Sequence, residues 1–298
     1  MNIYSEISKN IWKSWIIMVL FVIFVSTIAY VISRAMGYGI SFTLVALIIS
    51  IISSVGSYYF SDQVVLSTTG AVPIKKSDNP QLYRIVENLA IGDGIPMPKI
   101  YIIKDLSPNA FATGRDPDHA SIAVTSGILD KLNKNELEGV IAHELSHIKN
   151  FDIRLMAISA VLVGFIAIIA DLFMRGLIWG NIRNENENRR GQGIFIILGL
   201  VFAIIAPLVA LLIQLAISRK REFLADASGT LLTRYPEGLA RALEKISSDP
   251  RPLHGATSAT AHLFIVNPFK GKGFQGWFAG LFNTHPPIEE RIKILRSM

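Results

Sequence analysis

The sequence predicts an α+β protein that is mainly α-helical, integral to a membrane and equipped with a small β-sheet. The first reason is composition: 51% of the 298 residues are hydrophobic and 17% are charged, against about 25% charged residues in ordinary soluble domains. The second is that long segments without charge alternate with segments of mixed composition. The third is that the mixed segments contain both helical and strand periodicity.

About four transmembrane helices are predicted from the apolar segments. Three segments lack Asp, Glu, Lys and Arg, namely residues 14–33, 35–61 and 191–218. Each is long enough to cross the roughly 30 Å hydrocarbon layer as a helix. The fourth, residues 155–174, is apolar except for Asp171, which Arg175 at i+4 could neutralise. A long buried helix is the alternative interpretation of this segment.

The basic residues favour one orientation. Lys9 and Lys13 precede the first apolar segment, and residues 219–221 follow the last. The positive-inside rule then predicts a multi-pass protein of the cell membrane, with residues 62–152 on the cytoplasmic side. Three arginines in the loop 181–190 argue against this orientation. The net charge of +6 comes with no nucleic-acid-binding signature.

The mixed segments contain short elements in an α+β order. The pattern predicts a helix at residues 79–90 and a strand at 99–103. It then predicts a second strand within 107–114, a third at 119–124, where apolar and polar residues alternate, and a short helix at 127–132. The next helix starts at Asn133, a good N-cap, with Glu136 placed for a capping box. We expect this helix to run almost directly into the third apolar segment, which would put its residues close to the membrane surface.

The run HELSH at residues 143–147 lies inside this helix. Positions i and i+4 share one helix face, so His143 and His147 can bind one zinc ion while Glu144 reaches the water that is to be activated. The alternative is a chance match with packed or solvated histidines. The chain contains no cysteine, so His, Glu and Asp are the available zinc ligands.

A catalytic zinc site needs a third protein ligand. The metzincin pattern fails, because Asn150 and Ile153 stand where it requires Gly and His. Glu222, on a predicted helix after the last apolar segment, is the candidate, with Asp226 at i+4 placed to support a ligand histidine. An ordinary charged turn after a membrane segment is the alternative.

Four motifs in order resemble the HtpX-type membrane zinc peptidases, relatives of the CaaX prenyl-protease metallopeptidases. They are HELSHIKNFD (143–152), REFLADASG (221–229), NAFATG (109–114) and THPP (284–287). The resemblance implies a gluzincin-like zinc protease domain with one Zn²⁺, in which Glu222 is the third ligand and Asp226 supports a histidine. That domain would comprise residues 62–152 and 219–298, with transmembrane hairpins at 1–61 and 153–218.

The resemblance also implies roles for two more residues. Asn109 would line the cleft where an extended substrate adds as a β-strand, although a turn Asn after Pro108 is an alternative. His285 would stabilise the oxyanion, although it also suits the position before Pro286 at a helix start. The expected substrates are misfolded or damaged membrane proteins, cut on the cytoplasmic side in quality control.

Two other functions stay open at this point. A CaaX-type protease acting on a lipidated C-terminus would use the same chemistry, but a chain with four spans is short for such an enzyme. A non-enzymatic membrane scaffold or transporter would not need all the zinc-site residues. Substrate preference and oligomeric state do not follow from the sequence. The Gly- and aromatic-rich residues 264–282 suit either a mobile flap or an interfacial loop.

Overall fold

The computed structural model describes residues 3–36, 39–182, 219–269 and 286–298. In this part of the chain the helices are α1 (Ile3–Met36), α2 (Ile40–Thr68), α3 (Pro80–Asp93), α4 (Ser126–Lys131), α5 (Lys134–Lys149), α6 (Asp152–Ile182), α7 (Arg219–Thr233), α8 (Pro236–Ser247) and α9 (Ile288–Leu295). The strands are β1 (Ala71–Pro73), β2 (Lys99–Ile103), β3 (Ala110–Gly114) and β4 (Ala120–Thr125). The protein is therefore mainly helical with one small sheet, as predicted.

The sheet is mixed, with the strand order β1-β2-β4-β3. β2 and β4 run parallel, whereas β1 and β3 pair antiparallel with their neighbours. β1 was not predicted, since three residues ending in a proline carry no usable periodicity. β4 starts one residue later than expected because Pro117–His119 forms a 3₁₀ turn capped by the Asp116 side chain. β3 lies at the edge of the sheet and faces α5.

Local capping explains where the two helices nearest the sheet begin. The Asn79 side chain accepts a hydrogen bond from the Leu82 N–H, and Pro80 occupies the first turn of α3. At the start of α5, Asn133 and Glu136 form the predicted capping box, each side chain bonding the other's backbone N–H. The helix that carries the HExxH motif therefore has a defined register from its first residue.

Two helices are long and apolar enough to cross a membrane, at Ile7–Val31 and Ile40–Thr68. A third span is possible if the bent pair α5–α6 counts as one. The last of the predicted apolar segments, residues 191–218, lies outside the described residues. On α1 and α2 many large apolar side chains are exposed, for example Trp12, Ile23 and Ile52. Such continuous apolar surface is typical of contact with lipid rather than water.

The buried face of α2 is lined with serines. Ser50, Ser54, Ser57 and Ser61 are spaced three or four residues apart and are all buried. Small residues at this spacing let helix backbones approach closely within a membrane. The face packs α2 against α1 and α6, so the three helices form one group.

The junction between α5 and α6 is sharp. The two helices meet at 84°, and Phe151 between them has φ +59°, a left-handed conformation that is rare for a bulky residue. The Arg154 guanidinium lies over the Phe151 ring, with 5.1 Å to the centroid. Asp152 opens α6 immediately afterwards. The predicted direct passage from the HExxH helix into the third apolar segment is therefore present, as a bend.

Candidate active site

Helix α5 presents the HExxH side chains to the interior of the protein. His143, Glu144 and His147 are all buried, with between 1% and 4% of their surface exposed. The two imidazole rings lie almost perpendicular, with centroids 4.7 Å apart. Their Nε2 atoms are 3.2 Å apart. The i,i+4 spacing has therefore brought the two rings to one point, as predicted.

Glu222 reaches the same point from α7. Its carboxylate lies 3.8 Å from Nε2 of His143 and 3.5 Å from Nε2 of His147. The approach of the two helices is close because α7 carries Gly229 against the backbone of α5. A Cβ at this position would meet the His143 nitrogen at 2.9 Å. The small residue therefore sets how near the carboxylate comes to the imidazoles.

These three side chains fit a divalent metal ion. One ligand atom from each lies within 4.8 Å of the others. Metal–ligand bonds of 2.0–2.2 Å in a tetrahedron give ligand–ligand separations of about 3.4 Å, close to the three distances found here. Each ring also has a carboxylate beside its Nδ1, which in the neutral, metal-binding form of the ring favours a proton on Nδ1 and leaves the Nε2 lone pairs directed at each other and at Glu222. A cation between them would relieve this repulsion.

His143 is supported from the C-terminal part of the chain. Its Nδ1 lies 2.9 Å from an Asp226 carboxylate oxygen. Arg291 of α9, fully buried, donates to both oxygens of Asp226 at 2.8 and 2.7 Å. A fork of two charge-assisted bonds fixes the carboxylate plane, and through it the ring. Asp226 therefore lies where the sequence predicted it.

His147 is supported from the other side. Its Nδ1 lies 3.0 Å from an oxygen of Asp152, the first residue of α6. The second Asp152 oxygen accepts hydrogen bonds from Asn10 of α1, at 2.7 Å, and from Arg221 of α7, at 3.0 Å. Both rings are thus held by a carboxylate in the arrangement common around metal-binding histidines.

The surroundings of the two histidines shift their pKa values in opposite directions. Burial lowers the pKa of His143, and the nearby Arg291 charge acts in the same direction, although Asp226 opposes them. For His147 burial also lowers the pKa, but the Asp152 hydrogen bond and the charges of Glu222 and Asp152 outweigh it and raise the pKa to about 9. The centre of the site therefore attracts positive charge on its His147 side.

Glu144 has the properties of a general base. Burial raises the pKa of its carboxyl to about 7, with the charge of Glu222 adding to the effect and His147 opposing it. A base with a pKa near neutrality transfers protons efficiently in both directions. The backbone of Ala112, on edge strand β3, faces this carboxylate and opposes the rise of its pKa. Glu144 therefore lies between the histidines and the free edge of the sheet.

Of the two further candidate residues, the structure describes Asn109 but not His285. Asn109 is buried directly before β3, and its side chain donates to the Val266 carbonyl at 2.9 Å. The neighbouring Ile265 N–H donates to the Ala110 carbonyl on the outer edge of β3. Asn109 thus holds residues 265–266 against the start of the edge strand. His285 lies outside the described residues, as does most of the Gly- and aromatic-rich stretch.

Sequence reasoning missed two charged residues of the site. Asp152 is the last residue of the HELSHIKNFD motif, but its contact with His147 depends on the bend at Phe151. Arg291 lies on the apolar face of α9 with Ile288 and Leu295, at i−3 and i+4. A cation in the middle of an apolar helix face was the available signal that this side chain is buried with a partner.

A buried HExxH helix beside a second helix that carries Glu222 and Asp226, joined to apolar membrane-type helices, belongs to the class of membrane metalloproteases. The comparison with known families agrees: peptidase family M48 matches residues 76–298. The chain belongs to this family.

The relatives with curated descriptions match over nearly the whole length. A protein described as "Protease HtpX homolog" from Tropheryma whipplei (strain Twist) is 45% identical over 295 residues, covering 99% of this chain and 98% of the relative. One of the same description from Thermoanaerobacter pseudethanolicus is 44% identical over 299 residues, covering 100% of this chain and 98% of the relative. The crystal structure of S. mikatae Ste24p aligns with a TM-score of 0.49 and 19% identity, over 94% of this chain and 62% of that one.

Proposed function

We propose that this metalloprotease is a zinc-dependent endopeptidase of the cell membrane that cuts misfolded or damaged membrane proteins on the cytoplasmic side. The observation that carries the proposal is the convergence of His143, His147 and Glu222 beside the buried base Glu144. Nitrogen and carboxylate ligands in this geometry suit zinc. In this proposal the first three residues hold the ion and Glu144 does the proton transfer.

Zinc, when bound, supplies a Lewis acid that polarises the scissile carbonyl and makes water a better nucleophile at neutral pH. Glu144 accepts a proton from the attacking water and then delivers it to the leaving amine nitrogen. A carboxyl with a pKa of about 7 holds and releases that proton with little cost. Asp226 and Asp152 keep the two imidazoles in one orientation throughout. The predicted contribution of His285 to oxyanion stabilisation stays part of the proposal.

The substrate is proposed to bind along β3. This strand lies at the sheet edge, and the backbone of its Ala112 faces the base. An extended peptide that pairs with such an edge presents its carbonyl groups in register, which supplies affinity without sequence selectivity. Low selectivity suits an enzyme of protein quality control, the role that the resemblance implies.

Two features support membrane-protein substrates and a site close to the bilayer. α6 begins at Asp152, whose side chain contacts His147. Asn10, which donates a hydrogen bond to Asp152, lies in the first turn of the candidate span Ile7–Val31. Lys9 and Lys13 beside that turn favour the cytoplasmic side under the positive-inside rule. A protease at this level meets polypeptide segments as they emerge from the membrane.

The test compares wild type, Glu144→Gln and a matched control, Glu138→Gln. Glu138 lies on the same helix but at the surface, where it pairs with Lys134. In detergent we expect about one zinc per chain in all three proteins. Cleavage of casein should fall about 10²–10⁴-fold in Glu144→Gln alone. Near-normal turnover of this variant would overturn the assigned base, and a wild type without zinc would overturn the metal site.

A second arm tests the substrate class. Wild type is reconstituted with a tagged membrane protein and with a destabilised variant of that protein. Preferential cleavage of the destabilised variant supports the quality-control role. Equal cleavage of both contradicts that role and leaves the peptidase activity intact.

A further inference from the structure

Asp152 is the meeting point of four helices. It begins α6, contacts His147 of α5 at 3.0 Å, and accepts hydrogen bonds from Asn10 of α1 and Arg221 of α7. Asp152 is 1% exposed. A buried carboxylate needs several donors to stay charged, and here they come from helices far apart in sequence. The orientation of His147 therefore depends in part on Asn10, which lies outside the four motifs.

Asn10 is the member of this network that belongs to a candidate membrane span. It lies within Ile7–Val31 and is 1% exposed. Its two amide hydrogens are both used, because Nδ2 donates to the Asn150 carbonyl at 2.9 Å and to Asp152 at 2.7 Å. Its Oδ1 accepts from Arg221 at 3.1 Å. A polar side chain in a membrane segment is costly, so full use of its donors and acceptor indicates a function.

The chemistry of these contacts requires a side-chain amide. Two donors and one acceptor must leave the same planar group, and a carboxylate of equal size has no hydrogen to donate. The Asn150 carbonyl that Asn10 binds lies at the end of α5, one residue before the bend. Asn10 therefore fixes both ends of the junction: the last residues of the HExxH helix and the first residue of α6.

We propose that Asn10 is a positioning residue for the metal site, through which the first membrane helix holds His147 in its binding orientation. Asn10 acts on Asp152, and Asp152 acts on the Nδ1–H of His147. Outer partners of metal-binding histidines change metal affinity by about 10–100-fold when they are removed. This inference rests on the proposed metal-binding function of His143, His147 and Glu222.

The test uses three variants of the full-length protein in detergent. Asn10→Leu removes all the side-chain hydrogen bonds while it keeps the same number and branching of side-chain heavy atoms. Asn10→Gln keeps the amide on a chain one methylene longer and serves as the rescue. Ile17→Ala is the control, since Ile17 is fully buried on the same helix and packs with Leu155 of α6 without touching the network.

Two quantities are measured for each variant: zinc affinity by competition with a chelator, and the visible absorption spectrum of the Co²⁺-substituted protein. We expect Asn10→Leu to bind zinc about 10-fold or more weakly and to alter the Co²⁺ spectrum. Asn10→Gln should recover part of the affinity. Ile17→Ala should lower the melting temperature while its zinc affinity and Co²⁺ spectrum stay at wild-type values.

The outcomes separate this inference from the proposed function. Unchanged affinity and spectrum in Asn10→Leu would overturn the inference while the metal site stands. An equal loss in Ile17→Ala would also overturn it, because general packing of α1 would then be the cause. If Asn10→Leu does not fold, Asn10→Ala takes its place with the same two readouts: weaker zinc binding with an altered Co²⁺ spectrum supports the inference, and wild-type values of both overturn it. A wild type that binds neither ion would overturn the proposed function itself.

Discussion

The two histidines of the motif are equivalent in sequence but are supported by different parts of the molecule. His143 is held by Asp226 and Arg291, from α7 and the C-terminal helix α9. His147 is held by Asp152, which α1 and α7 keep in place. One half of the site thus depends on the protease core, and the other on the membrane-associated helices.

The two histidines also differ in the charges that surround them. Arg291 lies 3.5 Å from the His143 ring nitrogens and helps to lower that pKa, whereas carboxylates surround His147 and raise its pKa to about 9. The comparison teaches that a symmetric motif on one helix can serve as the joint between two structural regions. Each region can then be disturbed separately.

The largest expected effect comes from Arg291 on the His143 side. Arg291→Met leaves Asp226 and Glu222 buried without their cation, which we expect to cost about 3–5 kcal/mol of unfolding free energy. The control is Arg296→Met, since Arg296 makes surface ion pairs with Glu237 and Glu244 from the same end of the chain. Chemical denaturation measures both. Equal stability of the two variants would contradict the assigned role of the buried cation.

A direct comparison of the two sides comes from Asp226→Asn and Asp152→Asn. Each should weaken zinc binding by about 10–100-fold, because each loosens one imidazole. If the two supports are independent, the fold-changes multiply in the double variant. Chelator competition gives the affinities. An effect confined to one of the single variants would show that the site depends on one region only.

A smaller effect is expected where α7 packs on α5. Gly229→Ala places a methyl group 2.9 Å from the His143 backbone nitrogen, and Gly139→Ala places one 2.7 Å from the Leu239 nitrogen of α8. Each should cost about 1–3 kcal/mol by overpacking. We expect weaker zinc binding in Gly229→Ala alone, measured beside thermal unfolding. Loss of zinc affinity in both would mean that any distortion of α5 disturbs the site.

The smallest effect is expected at an ion pair away from both histidines. Asp249 pairs with Lys131 and Arg251, and the Arg251 hydrogen bond, with Lys131 adding to it, holds the pKa of Asp249 well below its usual range. Asp249→Asn should therefore cost about 1 kcal/mol near neutral pH, because the partly exposed partners are screened by solvent. Zinc affinity should not change.

The pH dependence of this pair has a definite sign. A carboxyl whose folded pKa is lowered stabilises the protein above its unfolded pKa, which for Asp is about 3.9, and loses that contribution as the pH falls below it. The stability difference between wild type and Asp249→Asn should therefore shrink between about pH 5 and pH 2. A difference that stays constant over this range would contradict the assignment.

Much of the site could be predicted because its signals are local. The capping box at Asn133 and Glu136, the i,i+4 spacing of the histidines and the ExxxD spacing of Glu222 and Asp226 all follow from helix geometry. Asp226 lies beside His143 as predicted. The meeting of Glu222 with the histidines was not a local signal: Glu222 was a candidate third ligand from its place on a separate helix, and the resemblance to a family strengthened that candidate.

The remaining parts could not be predicted because they depend on contacts between distant segments. Asn10 and Asp152 are 142 residues apart, and Arg291 and Asp226 are 65 apart. The placement of residues 265–266 on the edge of β3 belongs to the same group. No periodicity links such pairs, since each becomes a partner only when folding buries both.

The sequence by itself predicted two apolar helices long enough to cross a membrane, most of the small sheet and a helix that carries both histidines on one face, because hydrophobic runs and helical spacing act within a few turns of chain. The tertiary structure alone decided which side chain supports which histidine. A buried charge must find its donors wherever the packed helices bring them, and the 84° bend after α5 brought Asp152 to His147 and to the first membrane helix.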